Sequence, residues 1–227
     1  MILEGADTDA LAAAYGADRR LRIRDALGRD DAVALHGALA AHRDWTLFAA
    51  TGAGTAALTR ERLAGLGEAG RADLLRTLHA EAARGRGFAY EGVRLGEGQG
   101  PAAAERLAES LSSEAVLARV RAVTGEPVRA ASAQATRYRP GHYLTRHRDD
   151  PQRETRRLAY VLSLCSDWHP DWGGLLLFFE PGGAPRDAWC PGFATLSLFD
   201  VSHVHSVTAV APFAPAPRLS VTGWFSA

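Results

Sequence analysis

The chain contains no lysine and no asparagine, and only two cysteines and one methionine. Without lysine, Schiff-base chemistry and the phosphate-gripping lysine of a P-loop are excluded. A protein-kinase reading of the two His-Arg-Asp tripeptides fails as well, because that machinery needs a lysine and a metal-binding asparagine. Every basic side chain other than histidine is arginine. Cys165 and Cys190 have no metal-type spacing, so two reduced, buried thiols are expected rather than a disulfide. No uninterrupted apolar run reaches membrane-spanning length, and Glu4, Asp7 and Asp9 stand where a signal peptide would carry basic and then apolar residues. A soluble, cytoplasmic protein without membrane contact is the expectation. Twenty-six basic and 26 acidic residues cancel, so no overall field draws the chain to nucleic acid.

What is present is enough for one large domain: 227 residues, 47% of them hydrophobic, can bury a substantial core. Residues 1–18, rich in Ala and Asp, read as a flexible N-terminus. Residues 19–227 read as a single domain, with 19–127 a helical support layer holding a few strands. In that layer 21–24 alternates like a short strand, and 30–41 reads as a helix capped by Asp30 or Asp31. Residues 44–48 read as a strand followed by a Gly-Ala-Thr loop. Leu74, Leu75, Leu78 and Ala82 make one apolar stripe of a helix over 71–83. Residues 88–95 resemble a strand. The Gly-rich 96–101 is a loop and no dinucleotide fingerprint, since its glycine spacing is wrong and a proline follows. Residues 102–123 form one or two helices broken at Ser112-Ser113, with Leu107, Leu111, Val116, Leu117 and Val120 facing a core.

From 128 the texture changes. Short β-prone runs at 129–138, 143–149, 157–164, 174–179, 193–199, 205–210 and 218–225 alternate with Pro- and Gly-rich turns. Such spacing without intervening helices indicates an antiparallel sandwich or barrel. The fold class is therefore α+β, with a strand core over 128–227 and helices packed on one sheet.

The chemistry is concentrated in 138–150. If His147 and Asp149 share a strand, the period of two puts both on one face. An imidazole beside a carboxylate supplies two of the three ligands of a 2-His-1-carboxylate facial triad, which leaves Fe(II) with open positions. The pair alone is weak, since His42-Arg43-Asp44 repeats it. That copy straddles a helix end and a strand start, so its side chains should not share a face. A second histidine can come from His203 or His205, with His205 favoured by its distance from Arg218. In 218–225, alternation sets Arg218, Ser220, Thr222 and Trp224 on one side. An inward arginine needs an anion, because an unpaired buried guanidinium is very costly. A small dicarboxylic acid chelating the iron would offer its distal carboxylate, best read as that of 2-oxoglutarate.

These motifs in order resemble a known family. Tyr138-x-x-Gly141, His147-x-Asp149, Gly173-Gly174-x-Leu176, His205-x-Val207, Arg218-x-Ser220 and Gly223-Trp224 are similar to the Fe(II)/2-oxoglutarate dioxygenases of the prolyl 4-hydroxylase type. Within them the similarity is greatest to the Tpa1/Ofd1-like prolyl hydroxylase branch. The resemblance covers 129–226 and implies a double-stranded β-helix, a jelly-roll or cupin-like barrel. It implies Fe(II) held by His147, Asp149 and His205, and 2-oxoglutarate gripped by Arg218 with Tyr138 and Ser220 beside it. O2 is the second cosubstrate and ascorbate a supporting reductant. Halogenating relatives lack the carboxylate ligand, so Asp149 favours hydroxylation.

The resemblance implies a prolyl residue of a peptide or protein as substrate, with succinate and CO2 released. Alternatives are a free amino acid or small metabolite and, from another class, a non-catalytic metal- or carbohydrate-binding barrel. Around the site, Asp150 reads as a turn or supporting acid, and His142 and Tyr143 as rim residues. The run 153–157 reads as a solvated connection, and 168–172 as either a packed aromatic loop or a lid.

Overall fold

The computed structural model describes residues 5, 7–51, 54–149 and 155–227. Six helices precede most of the strands: α1 (Thr8–Asp18), α2 (Arg29–Ala41), α3 (Arg60–Gly65), α4 (Gly67–Ala83), α5 (Ala102–Leu111) and α6 (Glu114–Thr124). Among them run β1 (Arg20–Ile23), β2 (Thr46–Thr51), β3 (Gly54–Leu58) and β4 (Phe88–Leu95). The second half supplies β5 (Ala130–Tyr138), β6 (Tyr143–His147), β7 (Arg156–Ser163) and β8 (Leu176–Phe179). It ends with β9 (Pro185–Trp189), β10 (Thr195–Asp200), β11 (His205–Val207) and β12 (Arg218–Ser226). A single curled antiparallel sheet runs β1-β10-β7-β12-β5-β4-β6-β11-β8-β9, with the β2–β3 hairpin attached through β4. The curled sheet with its helices is consistent with a double-stranded β-helix.

The period of two explains how one strand serves two layers. On β7, Leu158, Tyr160 and Leu162 join the large core beneath the helices, while Ala159 and Val161 face the barrel interior. On β12, Leu219, Val221 and Phe225 join the same helix-side core. Arg218, Ser220, Thr222 and Trp224 alternate with them and line the cavity on the other side. Because both faces are covered, strand register is strongly specified: a slip of one residue would drive Arg218 into the apolar layer.

Several expectations need correction. Thr8–Asp18 is a helix and not a frayed end: Asp7 accepts hydrogen bonds from the Asp9 and Ala10 amides, and Tyr15 is buried in the main core. α2 carries no side-chain cap; Gly28 precedes it, and Asp30 and Asp31 sit in its first turn, where carboxylates complement the helix dipole. Leu75 is exposed, so the α4 stripe consists of Leu74, Leu78 and Ala82. Tyr143 is a core residue, not a rim residue, and its hydroxyl donates to the Leu78 carbonyl. Both cysteines are free thiols, Cys165 buried and Cys190 half-buried. Among the described residues no helix is long and apolar enough to cross a membrane. Asp150 and residues 153–154 lie outside the described residues.

Candidate metal centre

β6 ends at His147, so Asp149 stands two residues past the strand end rather than on it. The two side chains nevertheless converge, with His147 Nε2 3.8 Å from Asp149 Oδ1. The distant histidine arrives through sheet register: β11 runs antiparallel to β6, and His205 pairs directly with His147. Their rings lie 4.2 Å apart, and His205 Nε2 is 3.8 Å from Asp149 Oδ2. One donor atom from each of the three lies within 4.8 Å of the others, the one such cluster found among the described residues.

The donor chemistry suits a divalent cation. His147 Nδ1 lies 2.9 Å from the Thr145 carbonyl and His205 Nδ1 3.0 Å from the His203 carbonyl. A carbonyl only accepts, so each Nδ1 carries the proton and each Nε2 keeps its lone pair toward the cluster. Burial lowers the His205 pKa to about 4, with the neighbouring His147 adding to the shift. His205 is therefore neutral at pH 7, as a ligand must be. Phe199 packs edge-on against its ring at 4.8 Å and keeps water from that side. The alternative histidine is directed elsewhere: His203 Nε2 lies 3.1 Å from the Asp18 carbonyl.

Arg218 lies in the wall of the same cavity and is 2% exposed. Its Nη1 donates to Ser220 Oγ at 3.1 Å, and its Nε is buried without a partner. No carboxylate of the described residues pairs with it. Ser220 Oγ is fixed in turn by Thr136 Oγ1 at 2.7 Å. Tyr138, opposite Arg218 in the β5–β12 register, lies beneath the guanidinium, 5.3 Å from ring centroid to Cζ. Burial holds the Tyr138 hydroxyl protonated, far above its usual range. The Gly173-Gly174 pair makes room for the arginine: a Cβ on Gly174, at φ +64, would come within 2.9 Å of Arg218 Cδ.

The sequence had not singled out Tyr90, Gln134 or Trp224 as cavity residues with a polar role. Tyr90 stacks on Tyr138 at 5.3 Å, and the side-chain nitrogens Gln134 Nε2 and Trp224 Nε1 are buried without partners. Strand alternation marks one face of 88–95, but nothing in the sequence reveals that β4 lies beside β5. The Trp168–Trp172 segment is locally packed around a 3-10 turn at Pro170–Trp172. Trp168 Nε1 donates to the Gly173 carbonyl, and its ring meets Trp172 edge-on at 5.5 Å. His142 is half-buried with Nδ1 unpartnered.

Fold and cluster together define a barrel with a His-Asp-His site facing an unpaired buried arginine. The sequence profile of the 2OG-Fe(II) oxygenase superfamily matches residues 133–226. Its name implies Fe(II) and 2-oxoglutarate. A search of curated proteins finds no match. Among solved structures the chain is similar to a Pseudomonas putida prolyl-4-hydroxylase, at TM-score 0.65 and 18% identity over 97% of this chain and 98% of that one. A Trichoplax adhaerens prolyl hydroxylase, solved with a hypoxia inducible factor peptide fragment, gives TM-score 0.64 and 17% identity over 96% and 88%. The α-ketoglutarate-dependent epimerase SnoN of nogalamycin biosynthesis gives 0.62 and 16% over 96% and 80%. At these identities the likeness is one of fold.

Proposed function

We propose that this chain is an Fe(II)- and 2-oxoglutarate-dependent dioxygenase that hydroxylates an unactivated C–H bond of a prolyl residue in a peptide or protein. His147, Asp149 and His205 hold the metal, and Arg218 grips the distal carboxylate of 2-oxoglutarate. The observation that carries this reading is the buried, anion-deficient Arg218 in the same cavity wall as three converging metal-type donors.

When bound, Fe(II) with 2-oxoglutarate and O2 supplies insertion of one oxygen atom into a C–H bond, with succinate and CO2 as co-products. The chain's own residues do the positioning. The two Nδ1–carbonyl bonds fix both imidazole planes before the metal arrives. Ser220, held by Thr136, orients the guanidinium fork, and a bidentate carboxylate would satisfy the idle Nε. Tyr138 remains a hydrogen-bond donor beside the same carboxylate. Phe199 and the barrel interior exclude water from the reacting centre.

A peptide substrate is supported by the opening of the site. Tyr90, Gln134 and Trp224 belong both to the metal cavity and to an open cleft of about 820 Å³, which Phe48 and Phe88 also line. That is far more room than a single amino acid needs. Within the prolyl 4-hydroxylase type, assignment to the Tpa1/Ofd1-like branch rests on motif order alone. One oxygenase domain, expected over 19–227, is part of the proposal, supported by a core shared between the helical half and the strand half, on which α1 also packs through Tyr15.

The test is mass spectrometry of candidate proline-containing peptides after incubation with Fe(II), ascorbate and 2-oxoglutarate. A gain of one oxygen with matching succinate is expected. Turnover confined to free amino acids or metabolites would move the reading to a small-molecule hydroxylase. Failure to form succinate with any substrate in the presence of iron and O2 would leave a non-catalytic binding barrel.

A further inference from the structure

The His42-Arg43-Asp44 tripeptide has no part in the metal centre, yet its first two residues border a second cavity, of about 630 Å³. This cavity lies among the end of α2, helices α3 and α4, and the β4–β5 pair. On those strands Tyr90 and Tyr138 face the metal cavity, and the intervening residues Glu91 and Arg137 face this one. The two sites therefore lie on opposite faces of one sheet.

Its lining is strongly cationic. Arg43, Arg60, Arg71, Arg137 and Arg139 make five of twelve lining residues, where 26 arginines in 227 residues would place about one. Glu91 is the one carboxylate, and it is already engaged: Arg137 Nε lies 2.5 Å away and Arg139 Nη1 3.8 Å. Arg71 spends its Nε on the Leu63 carbonyl at 3.0 Å. Arg43 and Arg60 make no hydrogen bond or close ion pair among the described residues, although Arg60 lies near enough to Glu61 to help hold that carboxyl below its usual range. His42 adds a ring nitrogen, Nε2, that is buried and without a partner. Between the cations lies apolar surface from Ala40, Leu63 and Ala64. In a chain of zero net charge this concentration is local and not a consequence of composition.

We propose that this cavity docks an acidic polypeptide segment, with carboxylates on Arg43, Arg60 and Arg139 and an apolar side chain against Leu63. Clusters of arginine recognise acidic motifs through paired, charge-assisted hydrogen bonds. The guanidiniums here come from different elements and are separated by apolar patches. That spread fits a chain bearing several carboxylates better than a single compact anion, and the volume is far larger than one inorganic anion fills. The site does not rest on the iron reading, since it lies behind the metal centre.

The experiment is fluorescence anisotropy of a labelled peptide alternating Glu and Leu, titrated with the full-length, metal-free protein. A Gln-for-Glu counterpart and inorganic pyrophosphate serve as comparison ligands. The Glu peptide should bind and weaken with added salt. The Gln peptide should bind about tenfold or more weakly, as should the Glu peptide to Arg43→Gln/Arg60→Gln. Both arginines are exposed and make no hydrogen bond or close ion pair among the described residues, so the unfolding midpoint and the iron content of that variant should match the parent. Equal binding of the two peptides, or an unaffected double variant, would overturn the proposal. Pyrophosphate binding without binding of the Glu peptide would overturn it in favour of a small-anion site. Because no metal is needed, a failed hydroxylation assay leaves this result standing, and the reverse.

Discussion

Two tripeptides of identical sequence, His42-Arg43-Asp44 and His147-Arg148-Asp149, end in opposite circumstances. The first follows the last turn of α2, where His42 is the C-cap and turns its ring edge-on to Trp45 at 5.3 Å. Asp44 is exposed, and among the described residues it joins no metal-type cluster. The second closes β6, whose antiparallel partner β11 delivers His205 directly across from His147. Local sequence is the same in both; the difference lies wholly in what the sheet register brings from 58 residues further along. A metal-type triad is thus a property of strand pairing, and the tripeptide is only the part of it visible locally.

The comparison can be broken most severely at the second copy. His147→Ala should abolish iron retention and turnover while leaving the unfolding midpoint close to that of the parent, since the side chain is only part-buried; iron analysis and circular dichroism check both. Arg218→Ala should raise the 2-oxoglutarate concentration needed for half-maximal succinate release by about two orders of magnitude or more, because breaking a buried pair costs about 3–5 kcal/mol. An unchanged requirement would remove Arg218 from the clamp.

A gentler test uses pH. Burial holds the folded His205 pKa at about 4 against an ordinary 6.5, so the unfolded chain takes up that proton first as pH falls. The stability from a neutral His205 is then complete above pH 6.5 and is lost progressively as the pH drops toward about 4. Denaturant unfolding of the metal-free protein should show this loss, and His205→Gln should flatten it. At the small end, His42→Ala should leave succinate release unchanged, and an inactive variant would mean that the first copy matters to catalysis.

Much of this was legible beforehand wherever alternation or capping was strong. β4 has its expected limits, and the break at Ser112-Ser113 falls where Ser113 caps α6 through the Val116 amide. The β12 alternation separated Arg218, Ser220, Thr222 and Trp224 from the core residues between them. Elements were missed where the pattern was thin. α1 is an Ala-rich helix anchored by Tyr15 rather than by an apolar stripe, and α3 is a six-residue helix with nothing buried. β9 begins with a proline at the sheet edge, where a missing amide costs no ladder bond. The converging donors were legible as a list, but their meeting was not. Asp149 lies off the strand that was to carry it, and the choice between His203 and His205 is made by where β11 begins.

The most direct test of the account is anaerobic Fe(II) titration of three proteins side by side: the parent, Asp149→Ala and Asp44→Ala. The account predicts one iron per chain in the parent and in Asp44→Ala, and none retained in Asp149→Ala. Iron kept by Asp149→Ala, or lost from Asp44→Ala, would contradict it.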